Sequence, residues 1–209
     1  MPRLCRVLVV AVVALGVAAS SASGAPERKL GGTLGALWET VLETPTPQNP
    51  FTGGDPCVDL GGIVAPFAPL GTTSLTCTVK PGTKVFVTGE STECSTVESA
   101  PFFGGNEAEL RACARAADAG FDVPAISIDG KSIAVSEVET GLLILDLPAD
   151  NIFGVPAQQA FSVAHGWVTL LHPLTPGTHE IRIHIEGTDV FGNIVNFDNA
   201  TTIIVKPGL

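Results

Sequence analysis

Apolar positions along this chain follow three successive patterns. Val7 to Ala19 is an unbroken apolar run. Leu34, Leu37, Trp38, Val41 and Leu42 then recur three and four residues apart. After residue 121, apolar and polar positions alternate in short stretches. The first run, about thirteen residues, falls short of the roughly twenty a membrane-crossing helix takes. The second pattern places its apolar side chains on one face of a short helix, which Pro45 and Pro47 must end because proline gives no N–H to the next turn. The third, with period two, is that of half-buried strands.

Between these patterns the punctuation is legible. Thr46 to Leu70 is rich in proline and glycine and predicts irregular structure. Leu75, Cys77 and Val79 alternate with threonines up to Lys80-Pro81-Gly82-Thr83, and Val85-Phe86-Val87 follows: strand, turn, strand. Asn106 is a good N-cap with Glu109 three residues on, Leu110, Cys113, Ala114 and Ala117 share one face, and Gly120 predicts the stop of a second helix over about 106–119. Further strands are predicted around Ile126 and Ile128 before the turn Asp129-Gly130, near Val135 and Val138, and over Leu142 to Leu147. Others follow at Phe161 to Val163, Trp167 to Leu171, Ile181 to Ile185 after the turn Thr175-Pro176-Gly177-Thr178, and Val195 to Val205. Helices come early, not between strands as βαβ units require. The expected fold is mainly β: an immunoglobulin-like antiparallel β-sandwich with two short helices in the N-terminal half. Its expected parts are a signal peptide over 1–24, a helix and irregular lead-in over 25–71, and a sandwich domain over 72–209 with the helix 106–119 inserted.

Charge and cysteines place the protein. Arg3 and Arg6 precede the apolar run and Ser20 to Ala25 follow it, the order of a secretory leader, with cleavage expected after Ala22 or Gly24. Cys5 lies ahead of the run, where a lipidated cysteine would follow it. The whole chain holds 11 basic and 21 acidic residues; losing Arg3 and Arg6 makes it more acidic still. Such a surface repels nucleic acid and anionic membranes, so the mature protein is expected neither to bind nucleic acid nor to insert in a membrane. Cys57, Cys77, Cys94 and Cys113 remain, widely spaced, and read as disulfides of an extracytoplasmic protein rather than as a zinc site. Three connectivities are possible; the preferred one joins neighbours, Cys57 with Cys77 and Cys94 with Cys113, because short loops close most easily.

Candidate chemistry is sparse. His179-Glu180 and His184 evoke a zinc protease, but the histidines are five apart in a strand, on opposite faces, whereas Glu180, Arg182, His184 and Glu186 share the solvent side. There is no G-x-S-x-G elbow, and Gly31-Gly32 and Gly35 form no phosphate loop. His165 and His172 flank the strand holding Trp167 and read as structural. Asp189, Asn193, Asn196, Asp198 and Asn199 offer oxygens to calcium without an EF-hand spacing, and Asn199-Ala200-Thr201 is a formal N-glycosylation site. Glu93, Glu137, Glu139, Asp129 and Asp146 are the acids available to a hydrolase. No catalytic, cofactor or metal residue is assigned.

The segment Leu174 to Ile181, with Gly187-Thr188-Asp189-Val190-Phe191-Gly192-Asn193, resembles the closing strands of bacterial immunoglobulin-like domains. More broadly, Trp38, Asn49-Pro50, Cys57, the block Cys77 to Phe86, Glu93-Cys94-Ser95, Glu109 to Cys113, Asp129-Gly130, Asp150 to Pro156 and His165-Gly166-Trp167 resemble a family of uncharacterised exported bacterial proteins. That resemblance implies export and no particular activity. The expectation is a secreted or cell-envelope-associated binding or structural domain, its partner an unidentified protein or cell-surface component. An extracellular carboxylate-dependent hydrolase and a calcium-dependent adhesion module are the alternatives.

Overall fold

In the computed structural model, residues 24–207 are described; the expected leader lies, but for Gly24, outside them. Helix α1, Gly24–Glu43, is twenty residues long, longer than the apolar stripe alone predicts. Leu34, Leu37, Trp38, Val41 and Leu42 are all buried along it, each worth roughly 1.5–3 kcal/mol relative to exposure. Gly31 lets the helix settle close to the sheet below, because a side chain there would strike the Glu139 carbonyl. Past Glu43 the chain makes two short 3₁₀ turns, Thr46–Gln48 and Pro50–Thr52. The buried Asn49 amide donates to the Val41 and Thr44 carbonyls at 2.6 and 3.0 Å, closing the helix end.

Two sheets follow. The first holds β1 (Cys57–Asp59), β2 (Ile63–Pro66), β4 (Lys84–Ser95), β7 (Ser136–Glu139), β8 (Leu143–Leu147) and β9 (Gln158–Leu171). Its order is β1-β2-β4-β9, with β7 and β8 in succession along the far edge of β9. The second has the order β3-β11-β10-β5-β6, from β3 (Ser74–Val79), β5 (Ala125–Ile128), β6 (Lys131–Ile133), β10 (Gly177–Thr188) and β11 (Ile194–Val205). Val85, Val87 and Leu171 of the first sheet meet Ile181, Ile183, Ile185 and Ile203 of the second in one apolar core. Phe86, Ala164 and Val168, on the opposite face of the first sheet, pack under α1. The fold is thus a β-sandwich with a helix laid on one outer face.

Three details differ from expectation. Two ladders are parallel, β2 with β4 and β3 with β11, so the sheets are mixed. Both Pro-Gly-Thr turns carry the chain from one sheet to the other, β3 to β4 and β9 to β10, instead of closing hairpins. The 25–71 lead-in contributes β1 and β2 to the first sheet in spite of its prolines, with Cys57 pinned to Cys77. Two tight hairpins do form, β1 to β2 through Gly61 and Gly62 and β5 to β6 through Asp129 and Gly130, all four turn residues at positive φ.

Helix α2, Glu107–Asp118, starts as predicted: the Asn106 side chain accepts the Glu109 N–H at 3.1 Å, and Glu109 reaches back to the Gly105 N–H at 2.8 Å. Cys113 is bridged to Cys94 in β4. Gly120 is not in the left-handed conformation usual after a helix; it is needed because a side chain there would collide with the Thr188 carbonyl, which lies beside it.

Candidate functional site

Strand β2 pairs with β4 only at Ile63–Lys84 and Val64–Val85. Beyond this, one edge of β4 has no strand neighbour until Ser95, whose N–H donates to the Phe102 carbonyl at 3.1 Å and whose carbonyl accepts from Gly104 at 3.3 Å. A cavity of about 390 Å³ fills the missing-strand position. Trp38, Phe51 and Phe67 form one wall, with ring centroids 4.9–6.3 Å apart. Ile181, Ile183, Ile185 and Phe197 of the second sheet form the floor.

A β-bulge between Thr88 and Glu90 decides which side chains enter. Before it, Val85 and Val87 face the second sheet; after it the alternation is inverted, so Ser91 and Glu93 turn toward α1 and β9. Trp38 Nε1 donates to Ser91 Oγ at 3.0 Å, and the Ser162 hydroxyl donates to Glu93 Oε1 at 2.5 Å. Glu90, on the other side of the strand, points toward the end of α2. Burial, reinforced by the charge of Asp118, pushes its carboxyl up to about 7, against a backbone hydrogen bond from Ser91. Glu93 is only 5% exposed, and burial together with Glu98 holds its carboxyl well above the usual range. Glu98, which accepts the Ser95 hydroxyl at 3.0 Å, is raised by burial too. Glu93 and Glu98 lie near enough for each to bear on the other's protonation. No basic side chain lines the cavity among the described residues.

A second, more open depression of about 550 Å³ surrounds His165. His165 Nδ1 meets the fully buried Asp118 at 2.9 Å and Nε2 meets Glu137 at 3.1 Å. Asp118, first, and then Glu137 raise its pKa against the opposing effect of burial. With both ring nitrogens committed to carboxylates, the imidazole ties α2 to β7 and has no lone pair free to act as a base.

The acids singled out from sequence are not brought together. Glu137 serves His165; Glu139 takes Arg111 and Arg115. Asp129 accepts His179 Nδ1 at 2.7 Å and the Glu180 N–H at 3.0 Å, which lowers its pKa. Asp146 stands on the exposed side of β8, its N–H donating to Glu43. Only Glu93 reaches the cavity, beside Glu90 and Glu98, which sequence reasoning missed. The signal for Glu90 was a second acid beside Glu93 within a strand bounded by Val87 and Cys94, where glutamate is out of place, whereas Glu98, beyond the end of β4, had none.

The oxygen-rich residues near the C-terminus also disperse. Asp189 accepts the N–H groups of Phe191 and Asn193, closing its own turn. Asp198 pairs with His184 at 3.0 Å and Asn196 donates to Glu186. Asn199 is buried and donates to the Thr72 carbonyl at 2.7 Å, which puts the formal glycosylation site out of a transferase's reach. Among the described residues, no group of three or more His, Cys, Asp or Glu side chains is arranged to hold a metal. His179 and His184 lie on β10, where Ile181, Ile183 and Ile185 are buried and His184 sits with Arg182 on the outer side, so they cannot share an ion. No helix among the described residues is long and apolar enough to cross a membrane.

No family model and no curated protein matches the chain. Among solved structures, it is similar to the cysteine protease inhibitor EhICP2 from Entamoeba histolytica, at 10% identity over 69% of this chain and 94% of that one, with a TM-score of 0.27. It is also similar to amebosin, at 11% identity over 65% of this chain and 99% of that one, with a TM-score of 0.22. Likenesses this distant carry no argument.

Proposed function

We propose that this is a secreted or cell-envelope-associated binding domain of the immunoglobulin-like kind, with its ligand site in the cavity beside the open edge of β4. The observation that carries the reading is that cavity: aromatic and aliphatic walls with a few polar groups converging on them, the usual make-up of a ligand pocket. Two disulfides suit an oxidising compartment, and the leader-like N-terminus suits export. The partner on this reading is a cell-surface or extracellular component, not nucleic acid or a bilayer core.

The test is a cavity-filling variant. The neutral fluorophore N-phenyl-1-naphthylamine should bind saturably to the protein, and Ala68→Trp, on the cavity wall, should weaken it by about tenfold or more without changing the melting temperature. Absence of saturable binding, or equal binding by the variant, overturns the reading. One observation favours a second reading, a carboxylate-dependent hydrolase: the neighbouring carboxyls of Glu93 and Glu98 both line the same cavity. It requires turnover that Glu98→Gln abolishes, and a panel of glycosides, esters and peptides left intact eliminates it.

A further inference from the structure

Resting on the cavity reading, we infer that the occupant is a small organic cation, one ammonium group on an apolar body. Several acidic side chains of this protein have cations beside them, Glu107 with Arg111, Glu139 with Arg111 and Arg115, Glu180 with Arg182, Asp198 with His184 and the buried Asp118 with His165, and others, such as Asp55, Asp59 and Asp146, stand exposed to water. Glu90, Glu93 and Glu98 are different. They open on an apolar cavity without a basic side chain on its wall, and carboxyls in such surroundings are costly to ionise without a counter-charge.

A second observation points the same way. The Thr88 hydroxyl, on the same wall, is buried and has no hydrogen-bond partner, a cost that a ligand N–H would relieve. Anions are repelled here, and a neutral apolar molecule would leave the carboxyls without a counter-charge. A bare metal ion would find hydrocarbon where it needs six or more oxygens. An alkyl- or aryl-ammonium satisfies both halves of the cavity, its body against Trp38 and Phe67 and its charge toward the carboxyls, with further attraction from the aromatic faces. At about 390 Å³ the space suits a small molecule.

The groups facing Glu90 are Asp118 of α2, with His165 of β9 behind it, and the Ser91 N–H. Those facing Glu93 are Ser162 of β9 and Glu98. An incoming cation therefore favours ionisation of Glu90, whose carboxyl is pushed up to about 7, and uptake below pH 7 releases protons.

The experiment compares three probes of matched carbon count by calorimetry at about pH 8: 3-phenylpropylammonium, 3-phenyl-1-propanol and 3-phenylpropionate. The ammonium should bind about tenfold or more tightly than the alcohol, and the carboxylate not measurably. In the Glu90→Gln/Glu93→Gln double variant the ammonium should fall to the alcohol's affinity, with alcohol binding retained as proof of an intact cavity. Should that variant not fold, the wild-type protein still decides: affinity for the ammonium should drop as pH falls below 7 while that for the alcohol stays level. Alcohol binding as tight as the ammonium's, or pH-independent ammonium binding, overturns the inference. If the alcohol binds and Ala68→Trp blocks it, the cavity reading survives that failure; if no probe binds, both fall.

Discussion

Glu90 is the residue with most consequence for its size. Its carboxyl is raised from 4.5 to about 7 in the fold, so the folded state prefers it protonated. That preference supports the fold fully below about pH 4.5 and is lost as pH rises through 7, beyond which the ionised group costs up to about 3 kcal/mol. Glu90→Gln removes that cost. The variant should melt several degrees above wild type at pH 8 and close to it at pH 4, by thermal scans at matched ionic strength. His165 acts in the same direction. Raised above 6.5 by Asp118, its charged form supports the fold below that value and the support fades as pH climbs through the raised pKa. Replacing it leaves Asp118 buried, with neither oxygen partnered. His165→Phe should therefore cost about 3 kcal/mol or more in urea unfolding, and much less when Asp118→Leu accompanies it.

At the scale of elements, α2 shows how a short helix is held on a sheet. Its N-terminus is capped by Asn106, its middle is bridged by Cys113 to Cys94, and its last residue, Asp118, grips His165. Leu110 and Ala114 pack on Val163 between these points. Asn106→Ala should cost about 1 kcal/mol, and the double replacement of Cys94 and Cys113 by alanine about 2–4 kcal/mol, both read from denaturant midpoints. Strand β9 is the other organising element. It pairs with β4 along one edge and with β7 and then β8 along the other. Gly166 fits it against the bulge in β4, since a side chain there would collide with the Glu90 carbonyl and Ser91. The bulge in turn sends Glu90 and Glu93 to opposite sides of the cavity edge.

For the molecule as a whole, the order of layers is α1, first sheet, second sheet. The lead-in supplies the outermost layer and two strands, and Phe86, Ala164 and Val168 lose their cover without it. A chain beginning at residue 72 also lacks the Cys57 half of a disulfide. It should show no cooperative melting transition by circular dichroism, whereas a chain beginning at residue 25 should melt sharply.

Local physics made much of this readable from the amino-acid order. Period three-to-four set the buried face of α1, and period two set the inward isoleucines of β10. Asn106 announced α2, and the short intervals between neighbouring cysteines favoured the pairing found. Each depends on residues near in sequence, through backbone geometry and short-loop entropy. What only the tertiary structure decided depends on distant segments meeting. Partners across a ladder are chosen by the whole packing, so the parallel joins of β2 to β4 and β3 to β11 have no local mark. The cavity exists because β2 stops after meeting two residues of β4, and an empty strand position is written in no stretch of residues. The raised pKa values of Glu90, Glu93 and Glu98 follow from that geometry, since a carboxyl's cost of ionisation is set by what surrounds it in space.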